Sequence, residues 1–115
     1  MRVRKMLKEA RSLISDPIHW TRGGWARAED GVACFPQDEK ACSFCLEGAL
    51  RLAGTRYSPE ERADAVDILH HAIDGQPGGS LRSSIPGFND NDNTKHRDVL
   101  EALNLAIDIA GQEGI

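Results

Sequence analysis

The sequence predicts a mainly all-α domain of about four helices, and three observations support this. Apolar residues recur at about 100° per residue in the first, third and last periodic segments, as in amphipathic helices. A fourth segment is apolar almost all round, which is typical of a central helix. Capping residues, prolines and glycines stand where these segments would begin or end.

The first helix is predicted from about Val3 to Ile14. Its apolar residues fall in one arc, and five basic residues with a single acid spread over the opposite side. Asp16-Pro17 ends it, because the residue before a proline avoids helical geometry. The basic face is most simply solvated; the alternative is a homodimer in which it pairs with acids of the third helix.

Residues 18–37 have neither a helical nor a strand period. Residues 25–27 and 32–34 flank a turn and could pair as a short hairpin. An irregular loop pinned by Trp20 and Trp25 fits the pattern equally well.

The second helix is predicted from Asp38 to Ala53, with the others packed round it. The third begins at Ser58, which with Glu61 forms a capping box, and it stops at Asp74-Gly75. A Gly/Pro/Ser-rich loop is predicted from Gln76 to Pro86. The last helix starts near Asn93-Thr94, continues to about Ala110 and is closed by Gly111.

Length and charge narrow the class of protein. The 115 residues suit a single domain, 1–115. Fourteen basic and eighteen acidic side chains give a net charge of -4, which argues against nucleic-acid binding. No stretch approaches the roughly 18 apolar residues of a membrane span, and a signal peptide is not recognisable. The expected location is the cytoplasm.

Three cysteines, Cys34, Cys42 and Cys45, agree with a reducing compartment, because the count is odd. Cys42 and Cys45 have the spacing of a zinc or redox pair. They fall within the apolar arc of the predicted second helix, where free cysteine packs as a small hydrophobe. We therefore predict no metal and no cofactor.

His96 is the strongest candidate for chemistry. It falls in the apolar stripe of the last helix and so needs a hydrogen-bond partner, for which Asn89 or Asp90 is close in sequence. A carboxylate–imidazole pair can act in general base catalysis. It is also a common structural clamp between a loop and a helix, and we favour the clamp because no nucleophile is identified.

Trp25 and Arg27 form a second candidate site, since tryptophan and arginine dominate binding hot spots. The competing interpretation is that the indoles of Trp20 and Trp25 pack against the end of a small hydrophobic core.

Several short motifs occur in an order that resembles a family of small bacterial and phage-borne proteins, a domain of unknown function. They are Trp25-Ala26-Arg27, Asp30-Gly31, Phe44-Cys45-Leu46-x-Gly48-Ala49-Leu50, Ile85-Pro86-x-Phe88-Asn89-Asp90 and His96-x-x-Val99-Leu100. The resemblance covers about residues 20 to 110. It implies a compact, mostly helical domain with a site near Asn89, Asp90 and His96, and it implies no activity.

Two functions follow as hypotheses. The first is a non-enzymatic binding or regulatory protein that acts on a protein partner, with Trp25, Arg27, Phe88, Asn89, Asp90 and His96 as binding residues. This class fits a gene carried by a phage or mobile element. The alternative is a small hydrolase or transferase in which His96 is the base, Asp90 orients it and Arg27 holds an anionic substrate.

Overall fold

The computed structural model describes residues 1–76 and 84–115, which form a mainly helical fold with a small sheet. The helices are α1 (Arg2–Leu13), α2 (Leu46–Gly54), α3 (Pro59–Asp74), α4 (Ile85–Asp90) and α5 (His96–Glu113). The strands are β1 (Ala26–Ala28), β2 (Ala33–Cys34) and β3 (Ala41–Phe44), and a 3₁₀ turn covers Pro17–His19. The mainly helical class predicted from sequence is confirmed, with five helices in the described residues instead of about four.

Helix α1 is the amphipathic helix predicted at the start of the chain. Its apolar side is buried at Val3, Met6, Leu7 and Ala10. This side packs against α2, α3 and α5. Helix α1 therefore lies among the other helices, in the central position that the sequence predicts for the second helix. Helix α2 packs instead on α1, α4 and β3.

The strands form an antiparallel sheet in the order β2-β1-β3. The pairing of β1 with β2, in which Ala26 lies opposite Cys34, confirms the hairpin that was one of two alternatives. The other edge of β1 pairs with β3, in which Phe44 lies opposite Ala26. The sheet is therefore larger than the sequence predicted.

The predicted second helix, Asp38 to Ala53, is wrong in its first half. Residues 41–44 form β3, and α2 begins only at Leu46. Cys45 caps α2, and its thiol sulfur accepts a hydrogen bond from the Gly48 backbone N–H at 3.2 Å. A segment that is apolar all round carries no period that identifies a helix, and β3 buries Phe44 as part of the sheet.

Helix α3 follows the prediction at both ends. Ser58 Oγ accepts from the Glu61 N–H at 3.1 Å, and Glu61 Oε1 accepts from the Ser58 N–H at 2.9 Å. These bonds are the two halves of the predicted capping box. The helix ends at Asp74, followed by Gly75 as expected.

Most of the loop predicted from Gln76 to Pro86 lies outside the described residues. At its described end the prediction is wrong, because Ile85 and Pro86 already belong to α4. Ser84 caps this helix by accepting the Gly87 N–H at 2.9 Å. With six residues, α4 is too short to show a helical period in the sequence.

Helix α5 begins at His96, after the predicted start at Asn93-Thr94, and continues through Gly111 to Glu113. Gly114, with φ of 74°, closes it in the left-handed conformation that glycine adopts readily. Although α5 is 18 residues long, none of the helices in the described parts of the chain is apolar and long enough to span a membrane.

Candidate functional site

Asn89 lies at the end of α4 and is fully buried. Its Oδ1 accepts hydrogen bonds from Trp20 Nε1 at 2.7 Å and from the Leu46 backbone N–H at 3.0 Å. Its Nδ2 donates to the Thr21 carbonyl at 3.0 Å and to Asp90 Oδ1 at 2.9 Å. These four bonds use the full capacity of a primary amide, so Asn89 holds three chain segments together.

Asp90 continues this network at the surface. Its Oδ1 accepts the Asn89 amide and also the Gly23 backbone N–H, at 3.0 Å. The carboxylate therefore fixes the loop before β1. Both partners are donors within the fold, so the structure places Asp90 in a bracing role.

His96 takes a partner that the sequence did not suggest. Its Nε2 lies 2.6 Å from the carbonyl oxygen of Ile14, just beyond the end of α1. Its ring lies beside Trp20, with 5.7 Å between the ring centroids. Within residues 1–76 and 84–115 no hydrogen bond joins the ring to Asn89 or Asp90, so the expected carboxylate–imidazole pair does not form.

Arg27, the candidate anion holder, is already bonded inside the hairpin region. Its Nε donates to Thr21 Oγ1, its Nη1 to the Gly31 carbonyl and its Nη2 to the Arg22 carbonyl, each at 3.1 Å. All three guanidinium nitrogens thus hold neighbouring turns in place. An incoming anion would have to compete with these bonds.

Trp25 reaches solvent and is 39% exposed. Its Nε1 donates to Glu47 Oε2 at 3.1 Å, and Arg51 Cζ lies 4.2 Å from its ring centroid. Phe35, at 6.4 Å between ring centroids, is 69% exposed. Trp25, Phe35 and Arg51 are called the aromatic surface below.

Sequence reasoning found Trp25 but missed the other members of the aromatic surface. Phe35 lies in the irregular segment, and its pairing with Trp25 depends on the hairpin. Arg51 falls within the predicted second helix, and no sequence signal indicates that it would lie on an indole. Phe88, predicted as a binding residue, is instead buried in the core, 1% exposed.

A groove of about 560 Å³ lies next to the aromatic surface, where α1, α2, α3 and α4 meet. Part of its lining is apolar and comes from Met6, Leu50, Val66, Ile85 and Pro86. The remainder is polar and comes from Gln37, Glu47, Arg51, Thr55, Arg62, His70 and Ser84. Glu47 and Arg51 belong to both the groove and the surroundings of Trp25.

The cysteines are free thiols. Burial raises the pKa of Cys45, and loss of hydration raises the pKa of Cys34, to which the nearby Asp38 carboxylate contributes. Raised pKa values reduce the thiolate fraction that redox chemistry and metal binding require. In the described part of the chain, no three His, Cys, Asp or Glu side chains cluster as metal ligands.

Comparison with known proteins assigns the chain to a family. The model of a family of unknown function, DUF6197, matches residues 1–109, so the chain belongs to this family. This confirms the resemblance to an uncharacterised domain. No curated protein and no solved structure matches the chain.

Proposed function

We propose that this member of DUF6197 is a binding protein that docks a protein partner on its aromatic surface. The exposure of Phe35 beside Trp25 carries the proposal. The free energy falls when a partner covers large apolar side chains that are otherwise in contact with water. Tryptophan and arginine also contribute most often to binding hot spots, and Arg51 lies directly over the Trp25 ring.

The bonding of the other candidates supports this assignment. Asn89, Arg27 and His96 direct their polar groups to acceptors or donors of the fold itself. Their contribution is to hold the hairpin and the neighbouring helices in place. The aromatic surface, in contrast, presents side chains outward from that fixed support.

The partner expected on this surface has an apolar patch of matching size. Phe35 and Trp25 offer aromatic area, while Arg51, in contact with the Trp25 ring, adds a polar group beside it. Central apolar contact with a polar rim is the usual arrangement of protein interfaces. The partner is expected to be a different protein.

Site-specific photo-crosslinking in the native host tests the proposal. Benzoylphenylalanine is placed at position 35 and, as a control, at the exposed position 101 on α5. Irradiation is followed by mass spectrometry of the adducts. We expect one defined protein to be linked at position 35 and not at position 101.

Competition makes the result specific. Excess unlabelled wild-type protein should abolish the adduct, whereas excess Phe35→Ser should not, because serine removes the central apolar contact. No adduct at position 35, the same adducts at both positions, or a second copy of this chain as the adduct would each overturn the proposal.

A further inference from the structure

We propose that the groove between the helices binds a small carboxylate that carries an aliphatic tail, of the free fatty-acid type. Its volume of about 560 Å³ lies within the range of roughly 300 to 1,000 Å³ typical of small-molecule sites. The site combines an apolar lining with basic side chains, which is the composition that an amphiphilic anion requires. This proposal does not depend on the protein partner of the aromatic surface.

The apolar part of the groove suits an aliphatic tail. Leu50 and Ile85 are almost completely buried and line it together with the half-buried Val66. These side chains come from α2, α4 and α3, so a tail lying among them contacts three helices. Transfer of a tail from water to such a lining is favourable, because it removes apolar surface from water.

The charge of the groove suits a single negative charge. Arg51 and Arg62 line it together with one acid, Glu47. Two arginines against one glutamate leave one net positive charge among these three groups. That balance matches a monoanionic carboxylate better than a doubly charged phosphate.

The acid in the groove is already engaged. Glu47 accepts the Trp25 indole N–H at 3.1 Å and lies 3.8 Å from Arg51 Nη2. Its negative charge is thus directed toward Trp25 and Arg51, which lessens its repulsion of a bound anion. The remaining basic group, Arg62, then has no competing carboxylate among the described residues.

Arg62 has donors left for a ligand. Its Nη1 donates to the Tyr57 carbonyl at 2.6 Å and to the Gly54 carbonyl at 3.4 Å. These bonds fix the position of the guanidinium. Within residues 1–76 and 84–115 its Nε and Nη2 make no hydrogen bond. A guanidinium edge with two free donors matches the two oxygens of a carboxylate.

Titration of ¹⁵N-labelled full-length protein with octanoate tests the site, and 1-octanol serves as the uncharged analogue. We expect saturable shifts of the Leu50, Val66 and Ile85 amides with octanoate. The alcohol should bind at least about tenfold more weakly, because it forms no charge-assisted bonds. Arg62→Gln should weaken octanoate binding by about the same factor.

Two further variants guard against misfolding. Val66→Trp places a larger side chain in the groove and should abolish binding, while Arg97→Gln, a charge-matched change at an exposed position of α5, should leave it unchanged. Circular dichroism checks that each variant is folded.

Four outcomes would overturn the proposal. Octanoate shifts could be absent or lie outside the groove, or octanol could bind equally well. Binding could survive Val66→Trp, or Arg62→Gln and Arg97→Gln could cause equal losses. Since these measurements use no protein partner, their failure is distinct from failure of the crosslinking experiment.

Discussion

The indole of Trp20 donates a hydrogen bond of 2.7 Å to the amide oxygen of Asn89, a residue 69 positions further along the chain. The same oxygen accepts the Leu46 backbone N–H at the start of α2. One buried amide therefore joins the segment after α1, the first turn of α2 and the end of α4. The stability of the whole region depends on this side chain.

Replacement of Asn89 by alanine should reduce the free energy of unfolding by about 3 kcal/mol, because it leaves several buried donors and acceptors unpaired. Asn89→Asp tests the same network with nearly the same shape. It replaces the donating Nδ2 by an acceptor facing the Asp90 carboxylate, so a similar loss is expected. Urea unfolding followed by fluorescence measures both changes. Asn93→Ala, at an exposed position, is the control, and equal effects at positions 89 and 93 would contradict the role of the amide.

Gly48→Ala should destabilise the protein by about 3 kcal/mol or more, since overpacking against backbone cannot be relieved by a rotamer change. A Cβ at this position would overlap the Trp25 carbonyl oxygen and come within 2.8 Å of its carbonyl carbon. Gly24→Ala is the matched control, because its Cβ would meet only ordinary contacts at 3.9 Å or more. Thermal unfolding should show a large loss at position 48 and little change at position 24. Comparable melting temperatures for both variants would show that the close approach is absent.

His96 should carry its proton on Nε2, because the Ile14 carbonyl can only accept a hydrogen bond. Ring ¹⁵N chemical shifts distinguish the two tautomers directly. His96→Ala should lower the free energy of unfolding by about 1 to 3 kcal/mol, by leaving that carbonyl unpaired. His71→Ala, at an exposed position of α3, serves as the control. A ring with no proton on Nε2, or a His96→Ala variant as stable as wild type, would contradict a stabilising hydrogen bond from His96 to the Ile14 carbonyl.

The capping box of α3 makes stability depend on pH. The Ser58 backbone N–H, followed by the Arg2 guanidinium, lowers the pKa of Glu61 below its ordinary value of 4.5. A carboxyl with a lowered folded-state pKa stabilises the protein above its unfolded pKa, and this contribution is lost as pH falls through the folded-state value. Wild type should therefore exceed Glu61→Gln in melting temperature at neutral pH, and the difference should shrink below about pH 4.5. A gap for Glu61→Gln that stays constant to low pH would refute the assignment.

Local signals predicted α1 and α3 well. The apolar arc of α1 and the Ser58–Glu61 box of α3 are both readable within a few residues of sequence. The prediction of a helix around Ala41 and Phe44 was wrong for the opposite reason. This segment has no distinctive period, and its strand forms only through pairing with β1, about 15 residues upstream.

The candidate site was predicted in part. The sequence indicated that His96 faces inward and requires a partner, but proximity along the chain favoured Asp90 over the Ile14 carbonyl, 82 residues away. Likewise, Phe35 and Arg51 become neighbours of Trp25 only when the hairpin and α2 come together. Contacts of this kind depend on tertiary geometry, which no local pattern contains.

The absence of a side chain at Gly48 has a consequence for the speed of recognition. Because α2 lies directly against the Trp25 peptide, whose carbonyl also accepts the Cys45 N–H at 3.1 Å, the tryptophan backbone is held on two sides. Such a pre-organised anchor loses little conformational entropy when a partner arrives. We expect association through it to proceed as a rigid-body encounter, with differences between partners expressed mainly in their residence times.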